Sequence, residues 1–553
     1  MSVRKRKEIQ EVLRRVRVEE MEESRSELRE KRKALASWLF SSLSGIFLFV
    51  AFPPVGASHL AFVALIPFVV ALRWNPGARC RLGFLAGLFF WIPSLWFLSP
   101  VTIPGAVFLA AYCAAYWILL GGVWGWAIKQ WTPHRILESL ALVIGCAAFW
   151  CLLEWIRSWF LTGFPWNELA VSQWENYGLL QVASVGGTRL ISFVIVLMNL
   201  GISFSLLGLV EQLGTGKRNR MHPELYLPIL GLCIGFTWGI KEMRRLFPEG
   251  QEQRSFRIAA IQPLAENKWT EELAAENFRV LWELSDAAVS LKPDLLVWPE
   301  TALPEELRYS TKAVSMVQNL VANGTPLLLG SLDFETTSNE KNQVERIYYN
   351  SSFLVDSSGD IAEEYRKQHL VMFGEYMPFA KFFPFLRALT PMPEDVTPGE
   401  GSGVIQVKGL DLKLGMIICF EDLMPGLSRD RVNEGAQLLM NQTNDAWFDP
   451  LWGSEAHLAH AVFRCVEQRR PTVRVTNSGV SAWIDTRGVV RDRIEDPLTD
   501  EIRIRGFKTF EVEVPADLET TFYHRYAYLF PVVWAFLSAL ILFAKMERRL
   551  PAG

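Results

Sequence analysis

Apolar residues in this chain come in long runs up to about Phe247, give way to a mixed stretch, and return after Tyr526. A helix needs roughly 20 apolar residues to cross a hydrocarbon layer. Eight runs approach that length: residues 37–52, 59–72, 82–98, 103–128, 136–156, 190–210, 225–240 and 529–544, so eight crossings are expected. The first two are short and separated by Pro53-Pro54, which also fits a re-entrant or kinked pair. In the mixed stretch the period changes. Short β-branched or aliphatic segments at 256–262, 294–298, 326–330, 348–356, 412–419, 437–441, 472–476, 481–485 and 509–514 predict strands. Segments 271–292, 311–322, 424–434 and 454–469 predict helices, and the alternation predicts an α/β fold with helices covering a sheet. The turns ending in Gly359 and Gly488 read as hairpins that need a left-handed glycine.

Charge gives the apolar runs an orientation. Lys and Arg crowd residues 4–33, then recur as Arg73, Arg79 and Arg81, as Lys129 and Arg135, as Lys217, Arg218 and Arg220, and as Lys545, Arg548 and Arg549. The alternate connections are poor in positive charge: 99–104 has none, and 157–189 has Arg only at its two ends. The positive-inside rule then places both termini in the cytoplasm and the block from about 245 to 525 outside it. Lys241, Arg244 and Arg245 fall on the other side, but they open a long domain, which translocates with little regard to charge. The expected division is a charged cytoplasmic extension (1–35), a transmembrane bundle (36–246), an extracytoplasmic domain (247–525) and a last helix with a cytoplasmic tail (526–553). The extension reads as a solvated helix, and the first span as an uncleaved anchor. A length of 553 residues exceeds one core, and a net charge of -3 gives no reason to expect nucleic acid.

Three polar residues stand out in the mixed stretch. The strand Asp294-Leu-Leu-Val-Trp-Pro-Glu300 stops at a proline with a carboxylate directly after it. The strand from Leu412 ends in Cys419, followed by Phe420, Glu421 and Asp422 before Pro425 opens a helix. A thiol at such a turn can meet backbone N–H groups that lower its pKa or bind an oxyanion. Lys367 lies in Tyr365-Arg-Lys-Gln-His-Leu370, amid ordinary loop sequence. Each has a plain explanation: a small core cysteine, a capping carboxylate, a solvated lysine. Cys419 and Cys465 are also the only cysteines of the exported block, so a structural disulfide between them is open. The seven His residues lack ligand spacing and no phosphate loop is present, so no metal or cofactor is expected.

Their order changes the reading. Trp298-Pro-Glu300, then Arg366-Lys367, then Ile418-Cys419-Phe420-Glu421 resembles the Glu–Lys–Cys triad of the nitrilase superfamily. Tyr349-Asn350, the segment His369 to Pro378, Asn444-Asp-Ala-Trp-Phe448 and Arg474-Val-Thr-Asn-Ser-Gly479 extend the resemblance through most of 256–514. Along its whole length the chain resembles the membrane-embedded branch, the apolipoprotein N-acyltransferases, which carry a nitrilase-like domain before the last of eight membrane helices. Gly163-Phe-Pro-Trp166 with Ser172-Gln173 is similar to that branch's external loop, and Lys268-Trp269 matches a Trp the family places beside the active site. Phe420 departs from the family's usual Tyr, Asp422 and Cys465 are unusual in their motifs, and the charged extension is extra.

The resemblance implies a multi-pass α-helical membrane bundle plus an extracytoplasmic α/β nitrilase-like sandwich domain, in a bacterial inner membrane. Cys419 would attack a phospholipid ester and Glu300 would move the protons, while Lys367 would face the oxyanion. The resulting thioester would pass its acyl group to the α-amino group of a diacylglyceryl-cysteine lipoprotein. Glu375 and Glu421 are expected to orient Lys367 and the base, with Asn350, Trp269 and Trp447 as further site residues. Phe379, Phe382, Phe383, Phe385 and Leu386 fit either a membrane-facing lid or core, and a monomer is expected. The alternatives are a membrane-tethered amidase with the same triad, or a non-catalytic scaffold in which Cys419 is structural.

Overall fold

The computed structural model describes all residues except 1–2, 133–134, 216–220, 247–252, 266–269, 339–343, 379, 381–394, 449–451 and 543–553. Over most of their described residues the eight apolar runs lie on helices. Helix α1 (Val3–Ala51) carries the charged extension into the first run without a break. At 1.5 Å per residue it is about 70 Å long, more than twice a bilayer core. The others are α2 (Ile66–Trp74), α3 (Arg79–Ser94), α4 (Ile103–Gln130), α5 (Ile136–Arg157), the short α6 (Tyr177–Leu180), α7 (Ala183–Thr215) and α8 (Pro223–Arg245).

Among the described residues six helices are long and apolar enough to cross a membrane, and 58–74 with 76–94 form a pair bent by 106°. The count is thus six, or seven if the bent pair is one span, where eight separate crossings were expected. The bend falls at Asn75-Pro76, between the second and third runs and not at Pro53-Pro54. The reason is local: α2 has only nine residues before Pro76 opens a new turn. Small residues then let α3 and α4 touch backbone to backbone. A Cβ on Gly83 would lie 2.0 Å from the Trp117 carbonyl oxygen, and one on Gly121 would lie 2.4 Å from that of Arg79.

The mixed stretch folds into two six-stranded sheets, packed face to face. Its strands are β1 (Gln253–Gln262), β2 (Leu295–Val297), β3 (Leu327–Ser338), β4 (Val344–Val355), β5 (Ile361–Arg366), β6 (Val404–Val407), β7 (Leu412–Ile418), β8 (Leu438–Thr443), β9 (Thr472–Thr476), β10 (Ala482–Ile484), β11 (Val490–Arg493) and β12 (Gly506–Pro515). One sheet has the order β12-β1-β2-β3-β4-β5, the other β11-β10-β9-β8-β7-β6. Alternation along each strand sorts the two faces. Ile258 and Ala260 of β1 meet Leu414, Met416 and Met440 between the sheets. Ala259 and Ile261 face outward onto Phe278 and Leu281 of α9 (Glu271–Val289), in a layer shared with Val317 and Leu320 of α10 (Thr311–Val321). On the second sheet lie α11 (Pro425–Asn433) and α12 (Trp452–Gln468).

All nine expected strands are present. β5, β6 and β11 are not legible in the sequence, because all three are short sheet edges with at most two buried apolar positions each. Gly359 and Gly488 adopt φ of 88° and 78°, as the hairpin turns require.

Helix α12 joins the two parts of the molecule. Its Leu458, Val462, Phe463 and Val466 share one buried cluster with Leu180, Ala183 and Val196 of the bundle. The seam also has polar ties. Helix α7 is broken at Gly186-Gly187, and beyond the break Thr188 N–H donates to Glu467 Oε1 at 3.0 Å. The chain re-enters the helical region through α13 (Phe522–Tyr526) and α14 (Phe530–Ser538).

Candidate active site

Glu300 follows β2 at a turn that leaves no room for a side chain on the neighbouring strand. A Cβ on Gly330 of β3 would lie 2.4 Å from the Pro299 carbonyl oxygen and 2.8 Å from Glu300 Cα. Lys367 follows β5, its N–H bonded to the Asn350 carbonyl at 2.8 Å. Cys419 follows β7 with φ of 52°, and Thr301 and Phe373 are also left-handed, at 42° and 65°. Such non-glycine residues cost roughly 1–3 kcal/mol each and persist where the surroundings impose them.

These turns converge. Lys367 Nζ lies 2.9 Å from Glu375 Oε1 and 3.4 Å from Glu300 Oε1, and its side chain is 1 % exposed. Asn350 Nδ2 donates to the same two oxygens, at 2.8 Å to Glu300 and 3.1 Å to Glu375. The two carboxylates differ in one respect. Glu375 Oε2 accepts the Val371 N–H at 2.9 Å, whereas Glu300 Oε2 has no hydrogen-bond partner among the described residues. Both oxygens of Glu375 are therefore engaged, whereas Glu300 keeps a free oxygen to take a proton.

Burial disfavours the Lys367 ammonium, but Glu375 and then Glu300 outweigh it and hold the group charged, well above the ordinary lysine range. Burial pushes the Cys419 thiol up and Glu300 adds to this, with Lys367 and a hydrogen bond to Thr443 only partly opposing. The turn thus does not lower the thiol pKa, contrary to expectation. The resting nucleophile is a neutral thiol that needs a base. Alkylation of Cys419 by iodoacetamide is accordingly expected to be slow at pH 7 and to keep rising to pH 10. A rate already at its plateau at pH 7 would contradict this.

Glu421 acts on main chain. Buried beneath the turn, it accepts N–H groups from Ile418 (2.8 Å), Gln368 (2.7 Å) and His369 (2.9 Å), and the Tyr365 hydroxyl at 2.9 Å. One carboxylate so ties the backbone before Cys419 to the backbone after Lys367. Burial raises the Glu421 pKa, with those N–H groups opposing it.

The bundle supplies a wall. Phe420 stacks on Phe164 of the loop after α5, with centroids 5.9 Å apart, and on His369 at 6.1 Å. Arg157 Nη1 fixes that loop by donating to the carbonyls of Phe164 (2.5 Å) and Trp166 (2.7 Å). Phe420, where the family commonly has Tyr, is thus a stacking residue that needs no hydroxyl for its packing.

A second cluster lies behind Cys419 and was missed. Asp422, Asp445, His457 and Arg474 are buried together: His457 bridges Asp422 (2.8 Å) and Asp445 (3.0 Å), and Arg474 bonds both carboxylates at 2.8 Å. Asp445 and Arg474 stood inside quoted motifs, but His457 lies on a helix with no such mark.

The structure joins Glu300, Lys367, Glu375 and Asn350 directly, and places Glu421 and Cys419 on the adjoining turn. Trp447 is 43 % exposed on a 3-10 turn, with no bond to this group. Trp269 lies outside the described residues, as do Phe379, Phe382, Phe383, Phe385 and Leu386. Cys419 and Cys465 are not bonded; Cys465 is buried and donates to Thr472 Oγ1 at 3.0 Å.

Comparison with known proteins agrees with this anatomy. Residues 44–201 match the apolipoprotein N-acyltransferase N-terminal domain, and residues 257–504 match the carbon-nitrogen hydrolase family. An apolipoprotein N-acyltransferase of Geobacter metallireducens is 32% identical over 93% of this chain and 95% of its own length. The chain belongs to the apolipoprotein N-acyltransferase family. A second member, from Chlorobaculum tepidum, is 26% identical over 92% of this chain and 96% of its own. Among solved structures, an amidase of the nitrilase superfamily from Nesterenkonia is 16% identical, covering 49% of this chain and 94% of its own with a TM-score of 0.34. Family membership makes the chain an acyltransferase with a helical membrane region and a nitrilase-like α/β domain. It does not favour the amidase or scaffold readings, because the match runs through the bundle as well as the hydrolase domain.

Proposed function

We propose that this chain transfers an acyl group from a phospholipid to the α-amino group of a lipoprotein's N-terminal diacylglyceryl-cysteine, through a thioester on Cys419. The observation that carries the residue roles is the free Oε2 of Glu300 beside a fully engaged Glu375. Glu300 takes the thiol proton as Cys419 attacks the ester carbonyl, then gives it to the leaving alkoxide, releasing a lysophospholipid. The incoming amine attacks the thioester, its proton passes through Glu300 to the departing thiolate, and an amide forms. Lys367, with an N–H after Cys419, stabilises the oxyanion of both steps. Asn350 and Glu375 hold Lys367 and Glu300 in register.

The catalytic domain lies outside the cytoplasm in this proposal, on a bacterial inner membrane, with both termini inside and the monomer as the working unit. Support comes from the basic connections, which all fall on one side if the bent pair crosses twice, since Arg73, Arg79 and Arg81 flank its bend. The division at 1–35, 36–246, 247–525 and 526–553 follows from it. Purified protein in detergent, given labelled phospholipid, is expected to form a hydroxylamine-sensitive adduct that a diacylglyceryl peptide discharges to an amide. No adduct on the wild type would end the proposal; an adduct discharged only by water would leave a hydrolase.

A further inference from the structure

Arginines gather where the last membrane helix leaves the catalytic domain. A cleft of about 460 Å³ there is lined by Arg429 and Asn433 of α11, Thr520 before α13, and His524, Arg525 and Tyr528. No carboxylate lines it. Arg429 has no ion pair or hydrogen bond among the described residues, and Arg525 bonds only the Thr520 hydroxyl, at 2.9 Å. Glu519, next to Thr520, is already held by Arg245 at 2.8 Å, and Asp430 and Glu434, though beside Arg429 and Asn433 in sequence, do not line the cleft. Behind the cleft Arg470 donates only to main-chain carbonyls, including Glu519 O at 2.9 Å. The cleft thus holds two arginines that none of its own lining groups balances.

The position indicates what would balance it. Residues 522–542 are an apolar span, and its first turns expose Phe522, Tyr526 and Tyr528, aromatics of the kind that settle at headgroup level. A second cleft, of about 430 Å³, lies at the domain end of α8 and is lined by Ile240, Met243, Arg244 and Arg487. Arg244 is one of the three cations that the positive-inside pattern left on the wrong side. Both clefts therefore put arginine where a span meets the catalytic domain. None of the residues lining the first cleft touches Glu300, Lys367 or Cys419.

We propose that the cleft of Arg429, His524, Arg525 and Tyr528 binds the phosphate of an anionic bilayer lipid, not as acyl donor but as a headgroup anchor for the catalytic domain. The guanidinium groups take the phosphate oxygens and Tyr528 packs along the glycerol end. Non-substrate lipid here would press the domain onto the membrane and offset the cations that α8 and α13 carry on this side. The inference rests on membrane insertion alone, so it stands or falls separately from the acyl-transfer chemistry.

The test uses full-length protein in detergent and native mass spectrometry, with phosphatidylglycerol, phosphatidylcholine and inorganic phosphate as separate probes. Wild type is expected to retain one phosphatidylglycerol that the double variant Arg429→Gln/Arg525→Gln binds about tenfold more weakly or less. Arg429→Lys/Arg525→Lys should keep part of the affinity. The thermal unfolding temperature in lipid-free detergent should be unchanged in both variants, which reports that they are folded. Equal retention of phosphatidylglycerol by wild type and folded Gln variant would overturn the proposal. Equal retention of phosphatidylcholine would overturn it as well, since the site would then not select an anionic lipid. Displacement of the lipid by micromolar inorganic phosphate would make this a free-anion site and overturn the anchor.

Discussion

Replacing Lys367 with Met is expected to slow thioester formation by about a thousandfold, as removal of a strong oxyanion donor does elsewhere. The change keeps most of the side-chain volume but deletes the one cation between Glu300 and Glu375, whose Oε1 atoms lie 3.4 Å and 2.9 Å from Nζ. Without it the two carboxylates keep only Asn350 in common, and removing one partner of a buried pair costs about 3–5 kcal/mol, so the Met variant should also melt well below wild type at pH 7. Single-turnover acylation and thermal unfolding read the two effects. Near-normal acylation would remove Lys367 from the reaction.

Arg474→Met should be the most destabilising single change in the catalytic domain. It strips the permanent cation from Asp422 and Asp445, which are 1 % and 0 % exposed, and leaves only His457 between them. Burial works against ionised Asp445, but Arg474 and then His457 prevail and hold its pKa below the normal range. Removing one partner of such a cluster costs about 3–5 kcal/mol. For a domain of this size that is roughly a 10 °C fall in Tm, at 2–4 °C per kcal/mol. Arg474→Lys should recover only part, because one ammonium cannot bridge both carboxylates as the guanidinium does. Acylation should fall as well: Asp422 stands three residues past Cys419, and Asp445 shares Thr443 with the thiol. The wild-type cluster has its own pH signature. Burial and Arg474 pull the His457 pKa down, yet Asp422 and Asp445 overcome them and the net shift is upward. That stabilisation is complete below the ordinary histidine value and is lost as pH rises through the raised one. A melting temperature indifferent to Arg474→Met would show that the cluster is incidental.

Phe164 and His369 illustrate how far linear reading reaches. Phe164 was recognised within Gly163-Phe-Pro-Trp166 as part of a family loop, but nothing in the sequence places it against Phe420, more than 250 residues later. The bend between α2 and α3 was legible only as a shortage of apolar length, and assigned to the wrong proline. Glu421 stands out in the sequence beside Cys419, but its hydrogen bonds go to main-chain N–H groups and the Tyr365 hydroxyl, partners that its neighbours in sequence do not reveal.

The sequence by itself determined the eight helical segments, the nine strands rich in apolar residues, and the positions of Glu300, Lys367 and Cys419. These are local properties: an apolar run needs only its own length and period, and a polar residue at a strand end is visible from its neighbours. The tertiary structure decided everything that depends on which distant segments meet. It brought Glu375 and Glu300 onto one ammonium and left one carboxylate oxygen free. It also kept the thiol neutral, set the bundle's aromatic loop against the nucleophile, and buried four charged groups from four separate segments behind it. Burial and Coulomb terms of that kind depend on three-dimensional distance and enclosure, neither of which is encoded in spacing along the chain.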